Sequence, residues 1–219
     1  MRAALTQAAT RQAPRTPVPT RPMWAYLAFL LTVGFIPIHA YWALGGTWGL
    51  PPSVVPHGSV SPATASAVRA ANWGVCGLLL IGAAVLLTLA LPSGRRIHPL
   101  PLLVPLGIGS VVCVSHGLYG ILTKGLYVMG VRGAVDFPEV AGVSAATAAA
   151  ENRAAAILDL LAFEPYFLVE GVLIALAGWQ FSRTPAARLR WTMTVVAGTL
   201  LIEAFGALLS LSGLRFAVS

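Results

Sequence analysis

Five side chains in this sequence bring acid–base or hydrogen-bonding chemistry into apolar surroundings: His39, Asn72, His116, Glu170 and Glu203. A carboxyl group sheltered from water can act as a proton donor, and an imidazole beside it can orient it or take a proton away. The same groups, with Trp42 close to His39, would also suit recognition of one polar group on an otherwise lipophilic molecule. A third chemistry open to His39 and His116 is ligation of a haem from both faces. No H-E-x-x-H element, phosphate-binding loop, G-x-S-x-G elbow or dinucleotide fingerprint accompanies them. Cys76 and Cys113 both fall in apolar runs and form no C-x-x-C pattern, so we expect neither a disulfide framework nor a metal site, and no cofactor.

The elements that position these residues follow from composition. Of 219 residues, 57% are apolar and 10% charged, and mean hydropathy is +0.80. Soluble domains carry roughly 25% charged residues, which excludes a single water-soluble core. The net charge of +7 comes from arginines dispersed between long apolar runs, with Lys124 the one lysine; this addresses a membrane and not nucleic acid. The Arg, Ala, Gly and Pro usage points to a GC-rich bacterial gene and to a multi-pass protein of the bacterial plasma membrane. A bilayer core of roughly 30 Å takes about 20 apolar residues per helix. Five stretches qualify, at 24–44, 70–91, 100–121, 165–182 and 191–213, so the expected fold is an all-α transmembrane bundle in one domain, 23–219, preceded by a disordered basic tail, 1–22.

Arginine placement sets the expected orientation. Arg2, Arg11, Arg15 and Arg21, then Arg95 and Arg96, then Arg183, Arg188 and Arg190 fall on one side; Arg69, Lys124, Arg132, Arg153 and Arg215 fall on the other, in longer loops. The N-terminus is therefore expected inside and the C-terminus outside. Trp24, Trp179 and Trp191 then sit at the inner interface and Trp42, Trp48 and Trp73 at the outer one. External loops are expected at 45–69 and 122–164. The first is rich in Gly, Pro and Ser; the second contains an Ala-rich helical stretch, Ser144 to Leu161, expected to end before Pro165.

With these spans, His39, Asn72, His116 and Glu170 all lie within roughly 10 Å of the outer edge, and Glu203 lies deeper. Small and polar residues share helix faces: Thr199, Glu203, Gly206, Ser210 and Gly213 on the fifth span, Gly109, Cys113, His116, Gly117 and Gly120 on the third, and Arg69, Asn72 and Cys76 on the second. Intramembrane ionisable groups mark sites by default, with helix-packing hydrogen bonds as the competing explanation. The remaining charges have plainer accounts. Glu164 is explained by the dipole at the start of the fourth span, and Arg69 and Lys124 by snorkelling to the interface.

Two segments carry a family resemblance. His39-Ala40-Tyr41-Trp42-Ala43-Leu44-Gly45-Gly46-Thr47-Trp48-Gly49-Leu50, followed by Pro51, Pro52 and Pro56, resembles the domain of unknown function 3995 family of small bacterial integral membrane proteins, as does Glu164-Pro165-Tyr166-Phe167-Leu168-Val169-Glu170-Gly171-Val172-Leu173. The resemblance covers roughly 24–182 and implies the architecture, with no mechanism attached. Glu170, where the family pattern leads one to expect a small residue, and the fifth span with Glu203 depart from it. The functional expectation is a membrane protein with an outward-facing intramembrane pocket formed by His39, Trp42, Asn72, His116, Glu170 and Glu203, binding a lipophilic small molecule or acting as an accessory subunit. The alternative is an acid–base isomerase or cyclase acting on a lipid or isoprenoid, with Glu203, Glu170 and His116 catalytic. Expected partners are the bilayer, a lipophilic ligand, and a membrane protein or second copy of the chain.

Overall fold

The structure is a computed structural model, described here for residues 22–50, 62–131, 133–135, 137 and 144–211. The basic tail 1–21, the middle of the first long loop, Arg132, Gly213, Arg215 and the side chains of Arg95 and Ser210 lie outside that description. Six α-helices account for nearly all the described chain: α1 Met23–Ala43, α2 Pro62–Ala90, α3 Leu100–Val128, α4 Ala145–Leu158, α5 Glu164–Phe181 and α6 Pro185–Leu211. A 3₁₀ turn, Pro92–Arg96, follows α2, and a π turn, Asp159–Phe163, joins α4 to α5. Among the described residues there is no strand, and five helical segments are long and apolar enough to cross a membrane. The chain is thus an all-helical, multi-pass bundle.

The helix ends follow from local chemistry. Gly45 and Gly130 adopt φ of +98° and +92°, the left-handed geometry that glycine takes without penalty. At each, the chain turns back with paired bonds: Gly46 N to Tyr41 O and Gly45 N to Trp42 O after α1, and Val131 N to Leu126 O and Gly130 N to Tyr127 O after α3. Ser144 caps α4 by accepting from Thr147 N at 3.1 Å.

Three boundaries differ from the sequence expectation. α2 starts at Pro62 instead of 70, because alanines at 63, 65, 67, 70 and 71 extend the helix beyond the apolar run. α3 continues to Val128 past Lys124, whose charge does not end the helix because it is paired inside the protein. The Ala-rich helix does not stop before Pro165. The amide of Glu164 bonds Asp159 O, five residues back, and this widened turn carries the chain straight into α5. Proline lacks an N–H and collides with the carbonyl four residues earlier in a regular helix; a π turn accommodates both defects without breaking the rod. The 37-residue stretch from Ala145 to Phe181 amounts to about 55 Å of helix, well beyond the roughly 30 Å of a hydrocarbon core.

Packing follows small residues, as lipid-embedded helices require. α3 and α5 meet at Gly117 and Gly171: a Cβ on Gly117 would lie 2.7 Å from Leu168 N, and one on Gly171 2.7 Å from Val114 N. α1 packs on α2 and α5, while α6 lies outermost against α3 and α5. A core of Ala28, Leu86, Leu106, Ile174, Trp191 and Val195 fills the end opposite His39. On α6, Thr199 is buried and Leu200, Leu201, Phe205 and Leu208 are exposed, so its polar face turns inward as the spacing predicts.

Candidate functional site

At the end of the bundle shared by the C-terminal halves of α1 and α3 and the start of α5, polar groups gather around an aromatic cluster. His39 Nδ1 on α1 lies 2.7 Å from Asn72 Oδ1 on α2, and Asn72 Nδ2 donates to Val68 O at 2.9 Å, so the amide fixes the ring. The opposite nitrogen, His39 Nε2, is buried without a partner. Trp42 is buried, packs its ring edge-on to His39 at 5.0 Å, and donates Nε1 to Trp48 O at 2.8 Å, tying the loop after α1 onto the helix.

Glu170 on α5 faces α1. One carboxyl oxygen meets the Thr32 hydroxyl, and the other lies 2.5 Å from the Tyr166 hydroxyl, one helical turn earlier on α5. Thr32 also reaches Ala28 O at 2.9 Å and Tyr166 reaches Leu31 O at 2.8 Å, so the carboxyl is seated in a hydroxyl network against the α1 backbone.

A charged network lies on the α3 side. Lys124 Nζ donates to Glu164 Oε1 at 2.5 Å and Asp159 Oδ2 at 2.6 Å. Glu164 is 1% exposed, and its second oxygen has no hydrogen bond; it lies 3.6 Å from His116 Nε2. Gly120 makes the room, since a Cβ there would fall 2.0 Å from the Glu164 carboxyl carbon. These positions correct two sequence expectations. Lys124 does not snorkel, because two carboxylates hold it within the protein, and Glu164 caps no free helix end, because the π turn precedes it without a break.

Rings join the two polar groups. His39 contacts Phe35 at 4.9 Å, Phe35 contacts Phe167 at 5.4 Å, and Phe167 contacts His116 at 4.2 Å; Tyr166 stacks on Phe35 at 4.4 Å, and Phe163 packs on Trp42 at 5.7 Å. A porphyrin held between His39 and His116 would have to displace the Phe35 and Phe167 rings, so the packing does not fit a bis-histidine haem. Among the described residues no three His, Cys, Asp or Glu side chains are placed to hold a metal ion.

Of the expected site residues, the structure therefore brings His39, Trp42 and Asn72 into direct contact and links them through rings to His116 and Glu170. Glu203 is placed elsewhere. It lies beside the Ser115 hydroxyl, a hydrogen-bonding neighbour, at the α3–α6 contact. Cys76 faces Ile36 of α1 and Cys113 faces Gly171 of α5, both as free thiols. Sequence reasoning missed Thr32, Tyr166, Asp159 and the pairing of Lys124 with Glu164. A signal was present in Lys124 being the one lysine of an apolar chain.

The comparison with known proteins bears on architecture. A search of the curated proteins finds no match, and a search of the solved structures finds none. A family model described as "Protein of unknown function (DUF3995)" matches residues 32–174, which include Thr32, His39, Asn72, His116, Lys124, Glu164 and Glu170 and leave out α6 with Glu203. Since that match covers more than half of the chain and holds both polar groups with the rings between them, the chain belongs to this family of proteins of unknown function.

Proposed function

We propose that this chain is a plasma-membrane protein that holds a lipid-soluble small molecule at its polar and aromatic end, on the outer side of the membrane. The observation that carries the reading is the pair of unsatisfied buried groups, His39 Nε2 and Glu164 Oε2, on either side of the Phe35–Phe167 rings. Buried polar atoms are nearly always hydrogen-bonded, and a bound partner is one account of those that are not. An apolar molecule with one polar substituent, seated against the partly exposed Phe163 and Phe167 outside the Phe35 packing, is the complement of such an end: ring edges for its body, an imidazole or carboxyl for its polar atom. His39, Trp42, Asn72, His116, Glu164 and Glu170 form the proposed contact set, while Glu203 serves the α3–α6 contact.

The test is organic extraction of the purified protein, with mass spectrometry of the extract, for wild type, His116→Ala and Glu164→Gln. A lipid-soluble species in stoichiometric amount in wild type and depleted in both variants is the expected result. Its absence from wild type, or its equal retention in the variants, would remove the reading.

The Tyr166–Glu170–Thr32 network favours a second reading, intramembrane acid–base chemistry such as isomerisation or cyclisation of an isoprenoid. There the carboxyl would donate the proton and Tyr166 would hold it in place. Turnover by Glu170→Gln separates the readings: an enzyme loses it, and a binding protein has none to lose, whatever the variant's loading.

A further inference from the structure

We propose that the opposite end of the bundle carries a binding site for an anionic phospholipid. The start of α3, the end of α5 and the start of α6 enclose a groove of about 980 Å³ that none of the polar residues described above lines. Its rim holds Arg96, His98, Arg183 and Arg190, and no carboxylate is among the residues lining it. Below the rim the lining becomes apolar. Leu100, Val104 and Ile108 are 60%, 54% and 62% exposed and stand four residues apart on α3, so they form a stripe about 12 Å long running from the rim toward the bilayer interior. Phe181 and Trp191 form the facing wall.

Two helix N-termini open onto the same groove. α6 starts beside Thr184, whose hydroxyl accepts from Ala187 N at 3.1 Å, and the first amide of α3, Leu100 N, faces His98 Nδ1 at 3.4 Å. Each helix start adds partial positive charge to the arginine rim. A soluble anion would satisfy the rim and leave the α3 stripe bare, whereas a phospholipid satisfies both: its phosphate on the arginines, an acyl chain along Leu100, Val104 and Ile108. Charge complementarity selects an anionic headgroup over a zwitterionic one, as in basic pockets between transmembrane helices.

The experiment is a native mass spectrometry titration of the full chain in mild detergent, using dioleoyl phosphatidylglycerol, dioleoyl phosphatidylcholine with identical chains, and inorganic phosphate as competitor. Wild type is expected to bind one phosphatidylglycerol in preference to phosphatidylcholine, without displacement by phosphate. In Arg96→Gln/Arg190→Gln the phosphatidylglycerol affinity should fall by about thirtyfold, about fivefold per arginine, toward that of phosphatidylcholine. Val104→Trp, which keeps every charge and fills the stripe, should lower occupancy by both lipids, with helicity by circular dichroism confirming that each variant is folded. Equal binding of the two lipids by wild type, or an unchanged preference in the double variant, overturns the proposal. Displacement by phosphate, or undiminished lipid binding by Val104→Trp, overturns the acyl-chain seat and leaves an anion site only.

Discussion

At the scale of single residues, the pairing of Lys124 with two carboxylates is the feature with the largest consequence for stability. Removing one partner of a buried ion pair leaves an uncompensated charge and typically costs about 3–5 kcal/mol, while replacing all partners together by apolar or neutral groups costs far less. Lys124→Met should therefore lower the thermal midpoint of the detergent-solubilised protein more than Lys124→Met/Asp159→Asn/Glu164→Gln does. A triple variant as unstable as the single one would show that the charges do not act as a unit. Glu170 follows a different logic. Thr32 and Tyr166 have one proton each, and each hydroxyl stands within reach of a main-chain carbonyl as well as a Glu170 oxygen. A Gln amide at 170 both donates and accepts, so Glu170→Gln should fold within about 1 kcal/mol of wild type, whereas Tyr166→Phe takes the hydroxyl partner from the Leu31 carbonyl or the Glu170 carboxyl and should cost about 1–3 kcal/mol. Chemical unfolding followed by tryptophan fluorescence measures both, and a Gln variant that fails to fold would mean that the network depends on the carboxyl itself.

At the scale of elements, the π turn explains why the charged network was not legible in the sequence. On a regular helix with 3.6 residues per turn, positions five apart diverge by about 140°, so Asp159 and Glu164 would face different neighbours. The extra residue in the turn rotates them onto one side, and Lys124 reaches both. Hydropathy reads spans as apolar runs and reads Pro165 as a helix start, so it divides this continuous rod and assigns Glu164 to a helix dipole. The same windows recover what does follow from composition and period: the five spans, the inward Thr199 of α6 and the buried Gly117 and Gly120 of α3, though His116 on the same expected face is 52% exposed. His39 and Asn72 were legible because both lie on interior faces of adjacent spans, while Tyr166 and Thr32 were not, because one hydroxyl in an apolar run carries no periodic signal. Deleting Leu161 leaves Asp159 and Glu164 four residues apart, a spacing that shares one face of a regular helix, so it should convert the π turn to a regular one and keep both carboxylates on Lys124. A double-mutant cycle for Lys124→Met and Asp159→Asn should then show a coupling energy of about 0.5–3 kcal/mol in the deletion background as in the full-length chain, and a coupling near zero in the deletion alone would show that the widened turn itself is needed. Close helix approach gives a parallel expectation. Gly117→Ala, whose Cβ meets the Leu168 amide, should destabilise by about 1–3 kcal/mol, while Gly74→Ala, with nothing within 4 Å, should be neutral or slightly stabilising.

At the scale of the whole molecule, the two proposed sites lie at opposite ends of the bundle, so the orientation of the chain decides which compartment each one faces. An odd number of crossings by the five candidate spans would put Met23 and Leu211 on opposite sides of the membrane. Arg96, Arg183, Arg188 and Arg190 gather at the groove end, and positively charged short loops are retained in the cytoplasm. At the other end, Lys124 is bound within the bundle and Arg153 donates to Val128 O at 2.8 Å, closing the carbonyl end of α3. Lys124 and Arg153 thus have structural uses, and the groove-end arginines stand close together in short loops, which makes them the stronger topological signal. With that end inside, the groove meets the anionic inner leaflet, where negative surface potential concentrates the lipids its rim would select. The His39–Glu164 end then opens outward, toward molecules arriving from outside the cell or from the outer leaflet. A phosphatase fused after Leu211 should accordingly be active, because its substrate and oxidised form belong to the outer side, and a fluorescent protein at the same position should stay dark. The reverse pattern would turn the polar site toward the cytoplasm and the arginine groove toward the outer leaflet. The outward ligand reading would then fail, while the groove could still be tested on the purified protein, because lipid selection in detergent does not depend on which way the chain is inserted.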